Sequence, residues 1–419
     1  MADKKDKLIP KLRFPEFQND GEWESYSIEE LFEVRNGYTP SKSNPEFWEG
    51  GTIPWFRMED IRQNGHILSN SIQYITPEAV KGAGLFPAYS IIVSTTATIG
   101  EHALITVDSL ANQRFTFLTK RKSLDDKLDM MFFHQYMFIV DEWCKRNTNF
   151  GGLLSVNMPA FKKLRVPVPS IQEQKRIADF LTSLDDLLAG TKAKLEQFKA
   201  HKKGLMQRLF PATGKTLPDY RFPGFVGEKE WEIKCLGDVT TIVNRRNKSR
   251  RMLPIYSINN KQGFILQSEQ FNGLDSNSRG YDTSQYKIVG SNLFAYNPAR
   301  INVGSIGYSG RIKEGIISSL YVCFKSTDAI TDDFLRCFFE TDQFRRSVDN
   351  NVEGGIRSYL FYENFARIRI ALPTIDEQKH IASFLRSING LIEQYENEVT
   401  FLENHRQGLM QQLFPKIIL

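Results

Sequence analysis

Three short stretches carry residue types capable of chemistry. Gly214-Lys215-Thr216 has the lysine and hydroxyl that end a phosphate-binding loop, but Leu209 stands where the first glycine of that loop belongs. Without that glycine turn no cradle of backbone amides forms, so nucleotide binding is not expected there. Asn297-Pro298-Ala299-Arg300 begins like an adenine-methyltransferase motif but lacks its second proline and its aromatic residue. No glycine-rich cofactor loop follows a strand to support it. Asp219, Glu232 and Lys234 resemble the acidic and basic set of a metal-dependent nuclease, but the matching first-half positions hold Lys11, Glu24 and Tyr26, so the set would exist once in a duplicated scaffold and chance is its expected origin. Serine, histidine and aspartate occur, but no spacing singles out a triad. The 4 cysteines lack Cys-x-x-Cys pairing and read as free thiols of a reducing, cytoplasmic setting. The 6 histidines show no metal-ligand spacing, so no metal site is expected.

A second class of residue is suited to recognition. Amide, hydroxyl and guanidinium groups hydrogen-bond base edges, and lysines and arginines on phosphates fix register. In the first half these are Arg57, the polar run Ser94, Thr95, Thr96 and Thr98, and the triplet Asn112, Gln113 and Arg114. In the second half the densest basic stretch of the chain supplies Arg245, Arg246 and Lys248. Asn259, Asn260, Lys261, Tyr296, Asn297, Arg300, Asn302 and Arg357 follow. Two glycine pairs, Gly151-Gly152 and Gly354-Gly355, offer backbone amides to phosphates or serve as turns needing positive φ.

These residues need elements to position them, and the chain writes its main element twice. Residues 169–211 and 373–415 align without a gap, with nearly half of the positions identical. Each copy opens at Ser170 or Thr374, with Glu173 or Glu377 at capping-box spacing, and closes at Leu-Phe-Pro. Between these signals apolar residues step alternately by four and three. Ile177, Leu181, Leu184 and Leu188 begin the first series, and Ile381, Leu385, Ile388 and Ile392 the second. That period makes a narrow seam for one partner helix, and the simplest partner for each copy is the other. Lys202 and Arg406 break the seam at the same place, as polar residues that fix register do.

The repeat extends outward. Arg13-Phe14-Pro15 before Trp23 matches Arg221-Phe222-Pro223 before Trp231. Each half is therefore leader, variable region and long helix. The boundaries expected are 1–168 with leader 1–24, a helix at 169–211, linker, second leader and variable region at 212–372, and a helix at 373–419. Short β-type runs punctuated by Gly, Pro and Asn fill the variable regions, and one helix is expected in each, over 127–143 and 331–347. The fold class is α+β: two mixed, β-rich domains, a helical spacer and an internal duplication. A net charge of +5 permits a nucleic-acid partner without requiring one. No run is long enough to span a membrane, and MADKKDKLIP has no apolar segment of the kind that directs secretion.

The paired Pro-x-Ile-x-Glu-Gln-Lys openings, the Gly-Leu-Met-Gln-x-Leu-Phe-Pro closings, the Arg-Phe-Pro-x-Phe leaders and Ile53-Pro54-Trp55-Phe56-Arg57 resemble the specificity subunits of type I restriction–modification systems. The second half departs at Leu253-Pro254-Ile255-Tyr256. The resemblance implies a non-catalytic subunit that binds double-stranded DNA through two target-recognition domains. The two helices would form an antiparallel coiled-coil pair with pseudo-two-fold symmetry. Two methyltransferase subunits using S-adenosylmethionine and two restriction subunits using ATP and magnesium would assemble on it, with no cofactor in this chain. Glu173, Gln174, Lys175, Glu377, Gln378 and Lys379, repeated yet outside the seam, are expected to face the methyltransferase subunits. Two other readings stay open: a coiled-coil scaffold that ignores DNA, and the nuclease built on Asp219, Glu232 and Lys234.

Overall fold

The computed structural model describes residues 7–82, 84–149, 154–260, 262–352 and 359–415. Contacts divide the chain into two compact units, Met1–Thr191 with Glu398–Leu419, and Lys192–Asn397. The division runs through both long helices, Ile171–Leu209 and Ile375–Leu413, each of 39 residues and so about 58 Å long. The boundaries drawn from sequence set the helices apart from the domains. The contacts instead give each unit the start of one helix and the end of the other. The cause is apolar residues at both helix ends, which enter domain cores. In unit 1 Ile177 and Leu181 share a core with Leu409, Leu413 and Phe414. In unit 2 Met206, Leu209 and Phe210 share one with Ile381 and Leu385. Within each unit the helix segments are therefore antiparallel, and in unit 2 the Phe198 ring stacks on Tyr395 at 5.3 Å.

The strands of unit 1, in chain order, are β1 (Glu24–Ser27), β2 (Phe32–Asn36), β3 (Ile53–Phe56), β4 (Ile67–Leu68), β5 (Tyr74–Ile75), β6 (Ile91–Ser94), β7 (His102–Ile105), β8 (Leu110–Ala111), β9 (Phe115–Lys120), β10 (Thr148–Asn149), β11 (Ser155–Val156) and β12 (Arg165–Val168). One sheet has the order β2-β9-β6-β7-β4 and another β5-β3-β8, while β1 pairs β12 to close the domain. Every residue of β6 is buried, as a continuous apolar run requires when both faces of a strand are covered. Ile91 and Val93 enter the core that holds Phe133, Tyr136 and Val140 of the Met130–Arg146 helix, and Ile92 enters a second core with Trp55 and Phe56.

Unit 2 repeats this plan with other residues. Its strands are β13 (Glu232–Cys235), β14 (Thr240–Ile242), β15 (Ile255–Asn259), β16 (Gly263–Leu266), β17 (Lys287–Gly290), β18 (Phe294–Tyr296), β19 (Ile306–Tyr308), β20 (Glu314–Ile317), β21 (Val322–Ser326) and β22 (Arg369–Leu372). The order β14-β21-β18-β19 matches β2-β9-β6-β7, and β13–β22 matches β1–β12. The parallel pair β3·β8, Trp55 opposite Leu110, has its counterpart in β15·β20, Ile255 opposite Ile316. Leu253-Pro254-Ile255-Tyr256 thus occupies the place of Ile53-Pro54-Trp55-Phe56 despite its altered sequence. The single helix expected over 331–347 is two, Asp332–Phe339 and Asp342–Asn351, because Thr341 caps the second by accepting from the Phe344 amide at 3.1 Å.

Candidate nucleic-acid interface

The parallel strands β3 and β8 deliver Arg57 and Asn112 to one end of their sheet, where the Asn112 amide donates to the Phe56 carbonyl at 3.1 Å. Asn112 Oδ1 accepts from the Arg114 amide at 2.9 Å, and the turn so formed leaves Gln113 and Arg114 exposed. Thr39 holds the Gln113 side chain by a hydrogen bond. The β6–β7 connection, residues 95–101, lies against this turn, with the Thr95 amide donating to the Arg114 carbonyl at 3.1 Å. Its tip carries the half-buried Thr96 and Thr98. Arg57, Thr96, Thr98, Asn112, Gln113 and Arg114 therefore share one edge of unit 1. Arg57 stands 3.9 Å from Glu59, and Arg114 forms no ion pair among the described residues.

The matching connection in unit 2, between β18 and β19, carries Asn297, Arg300 and Asn302. It folds back through the Asn297 amide, which donates to the Ser305 carbonyl at 3.0 Å, and Asn297 Oδ1 accepts from Ala299 at 3.0 Å. The Ser305 hydroxyl reaches the Ile258 carbonyl at 3.5 Å, which brings Asn259 and the exposed Asn260 to the same edge. The basic stretch is wound around buried Asn247, whose side chain donates to the Arg251 carbonyl at 2.9 Å and accepts the Arg251 amide at 3.0 Å. Arg245, Arg246 and Lys248 are left exposed. Arg246 donates to Gln285 at 2.7 Å, and Arg251 is bidentate to Glu314 at 2.6 and 2.9 Å. Arg245, Lys248 and Arg300 form no ion pair among the described residues. Exposed cations of this kind are suited to phosphate oxygens.

Several residues expected in the interface are elsewhere. Ser94 and Thr95 are buried, because β6 continues through Ser94 and the Thr95 hydroxyl pairs with Thr116 at 2.9 Å inside the sheet. Tyr296 is buried in β18, stacked on Phe365 at 5.2 Å. Neither site presents a group to a base edge. Gly151, Gly152, Lys261, Gly354, Gly355 and Arg357 lie outside the described residues. Of the nuclease set, Glu232 is paired with Lys234 at 3.2 Å, and no group of three or more His, Cys, Asp or Glu among the described residues could hold a metal ion.

The helix openings also differ from expectation. Glu173 and Gln174 are buried, as are Glu377 and Gln378. Ser170 does cap, accepting from the Glu173 amide at 3.4 Å, but the Glu173 carboxylate is taken by Arg13 of the leader at 2.8 and 2.7 Å. The same exchange gives Glu377 to Arg221 at 2.9 and 2.8 Å. The carboxylates raise the pKa of both guanidinium groups, through the hydrogen bond first and Coulomb attraction besides. Gln174 Oε1 accepts from the Asp129 amide and its Nε2 donates to the Lys127 and Pro169 carbonyls, all at 2.8 Å. Gln378 does the same with Thr331, Ala329 and Pro373. The repeated Glu-Gln pair thus bolts leader and domain to the helix start. Only Lys175 and Lys379 remain exposed. The signal for this clamp was in the sequence: the arginine and the glutamate are repeated together.

Unit 1 also gathers three histidines that spacing did not connect, His102 and His134 buried and His66 half-buried. The His102 ring lies tilted to His66 at a centroid distance of 5.2 Å and edge-on to His134 at 5.1 Å, beside Asp141, Glu101 and Arg406. Burial and then the charge of neighbouring imidazoles hold His134 well below the ordinary histidine range, and burial chiefly lowers His66. The unfolded chain therefore binds more protons than the folded one as pH falls below about 6.5, and stability is lost in that window. The histidines of unit 2, His201 and His380, are exposed. Hydrogen exchange at pH 7.5 and 5.5 is expected to show unit 1 losing protection on acidification while unit 2 keeps it. Equal loss in both units would contradict this assignment.

Comparison with known proteins agrees with this architecture. The Type I restriction modification DNA specificity domain matches twice, over residues 20–199 and 228–400. The chain is similar to the Type I restriction enzyme EcoprrI specificity subunit of Escherichia coli, 52% identical over 162 residues, which covers 38% of this chain and 40% of that one. It is similar along nearly its whole length to the MjaIX specificity subunit of Methanocaldococcus jannaschii, 24% identical over 414 residues, 94% of this chain and 92% of the relative. The crystal structure of a type I system S subunit from M. genitalium shares the fold, with a TM-score of 0.61 at 15% identity over 98% of this chain and 100% of the other. With two matches spanning most of its length, the chain belongs to the family of type I restriction–modification DNA specificity subunits.

Proposed function

We propose that each unit reads one half of a split DNA site and that the long helices fix the interval between the halves. As a specificity subunit the chain recognises DNA and performs no catalysis itself. The observation that carries the split reading is the repeated loop. The β6–β7 and β18–β19 connections occupy the same place in two sheets of one topology, yet carry Thr96 and Thr98 in one and Asn297, Arg300 and Asn302 in the other. Scaffolds that share a strand order but carry different polar tips are what two half-sites of different sequence require.

Specificity subunits of type I systems work with methyltransferase and restriction subunits. The proposed assembly has two of each, with S-adenosylmethionine in the methyltransferases and ATP and magnesium in the restriction subunits. Docking would use positions exposed in both helix copies, Lys175 with Lys379 and Leu187 with Leu391, the leucines being 53% and 42% exposed. Sequence reasoning passed over the leucines, although an apolar residue kept at the same off-seam position in both copies marks them.

Salt dependence tests the DNA reading. Each phosphate contact contributes a slope of about −0.9 to log K against log salt. With methyltransferase subunits present, the double variant R245A/K248A is expected to make the slope shallower by about 2 and to weaken all sequences alike. An unchanged slope would remove these cations from the interface. Binding with no salt slope in the parent complex would favour the scaffold reading.

A further inference from the structure

The β6–β7 connection is anchored from behind as well as from its sides. At its base the Ser94 amide donates to the Glu101 carbonyl at 2.7 Å, and the Gly100 amide to the Ser94 carbonyl at 3.2 Å. At its flank the Ala97 amide donates to the Leu154 carbonyl at 3.0 Å. Ala97 sits at φ +66°, a conformation an alanine keeps only when its surroundings impose it. The backing comes from the Met130–Arg146 helix. His102, fully buried at the first position of β7, places Nδ1 2.6 Å from Asp141 Oδ2. His66 Nδ1 lies 2.7 Å from the His102 carbonyl and holds the same residue from its other side. Gly100, at φ +76°, lies so close to this helix that a Cβ there would be 2.7 Å from the Asp141 carbonyl oxygen and 2.9 Å from Lys145 Cε. Two independent features, a buried hydrogen bond and a close backbone approach, thus press the loop onto Asp141.

Among the described residues, unit 2 shows no such device behind its matching loop. Gly307 of β19 instead packs on the Gly263 backbone, where a Cβ would stand 3.1 Å from Gly263 Cα.

Building on the split-site reading above, we infer that His102 and Asp141 are positioning residues for base recognition by unit 1. They touch no base. They set the height and angle at which Thr96 and Thr98 meet the duplex, so they determine how well the half-site of unit 1 is told from its mismatches. A base contact displaced by about 1 Å no longer makes its hydrogen bond. Loss of one good contact removes about tenfold or more of the discrimination at that position.

The test uses the full chain with its methyltransferase subunits and a duplex library randomised across both half-sites, read by selection and sequencing. Unit 1's half-site is the one left unchanged when residues 233–372 are exchanged for those of another family member. The variants are His102→Ala, His102→Asn and Gly100→Ala. Asparagine carries an amide nitrogen near the place of imidazole Nδ1 and can still donate to Asp141. Alanine at 100 pushes the loop off the helix without hollowing the core. His102→Ala and Gly100→Ala are expected to lose at least tenfold discrimination at unit 1's half-site with the other half-site unchanged, and His102→Asn to recover most of it. If His102→Ala does not fold, Gly100→Ala decides alone. Wild-type discrimination in a folded His102→Ala or Gly100→Ala variant overturns the inference. So does an equal loss at both half-sites, or a His102→Asn variant no better than alanine. A parent complex that selects no split site would sink the reading beneath it before any variant is compared.

Discussion

Replacing Arg13 by alanine is expected to destabilise unit 1 by about 3–5 kcal/mol, the cost of breaking a buried charge pair by removing one partner. The side chains of Arg13 and Glu173 are 8% and 1% exposed. Without the guanidinium, Glu173 keeps a desolvated carboxylate with no cation beside it. The leader also loses its fork, since Arg13 Nη1 donates to the Asp20 and Gly21 carbonyls at 2.7 and 3.0 Å. Arg221→Ala should do the same to unit 2, where the pair is 9% and 1% exposed and the Glu228 and Lys229 carbonyls are the other partners. Lysine at either position keeps the charge but not the bidentate geometry, so an intermediate loss is expected. Denaturant unfolding monitored by hydrogen exchange measures each unit separately. A loss below about 1 kcal/mol for Arg13→Ala would show that water reaches Glu173 and that the clamp is dispensable.

The second large effect is on specificity. Exchanging residues 233–372 for those of another family member should change one half-site completely and leave the other as it was. The exchange replaces β13 (almost entirely) and β22 together, so their antiparallel ladder, Ile233 opposite Ala371 and Cys235 opposite Arg369, is rebuilt from matched partners. The leader, its Arg221–Glu377 clamp and both long helices stay. The cores that join helix ends to the domain do change on one side, through Phe334, Leu335 and Ile370, and volume-conserving replacements are tolerated there. Alteration of both half-sites would mean that the two units do not read independently.

Much of this architecture was legible in the chain. A step of four and three sustained through both copies admits little besides a helix seam. Along the first helix Ile177, Leu181, Thr191, Leu195 and Leu209 are indeed buried. Arg406, the polar break in the second seam, binds Asp185 and, at 3.1 Å, Gln135, while Lys202 turns to Glu340 at 2.5 Å. One break thus reaches across the seam and the other does not, a difference that matching positions did not disclose. Strands were legible as apolar runs, but the parallel pairing of β3 with β8 was not, because its partners are distant in sequence and no turn joins them.

The site was harder to read for a definite reason. Residue type says what a side chain can bond, not whether water or the protein's own backbone takes the bond first. Thr95 and Thr98 look alike in the sequence, yet the first hydroxyl is paired inside the sheet and the second sits at the loop tip. Glu173 looks like a surface contact because it is polar and repeated. Its repetition follows instead from the repeated arginine: both repeats stand in the sequence, but that the two side chains pair shows only once leader and helix are brought together. His66, His102 and His134 are widely separated in the chain, and only the sheet and its covering helix make them neighbours.

Split recognition at a fixed interval leaves its signature in the pattern of DNA that the assembled complex marks. The chain with its methyltransferase subunits should be expressed in a host that lacks methylation, and the genome sequenced for modified bases. Two short specified segments separated by a constant number of unspecified base pairs are the predicted result. One unbroken motif, or two segments whose spacing varies from site to site, would contradict it.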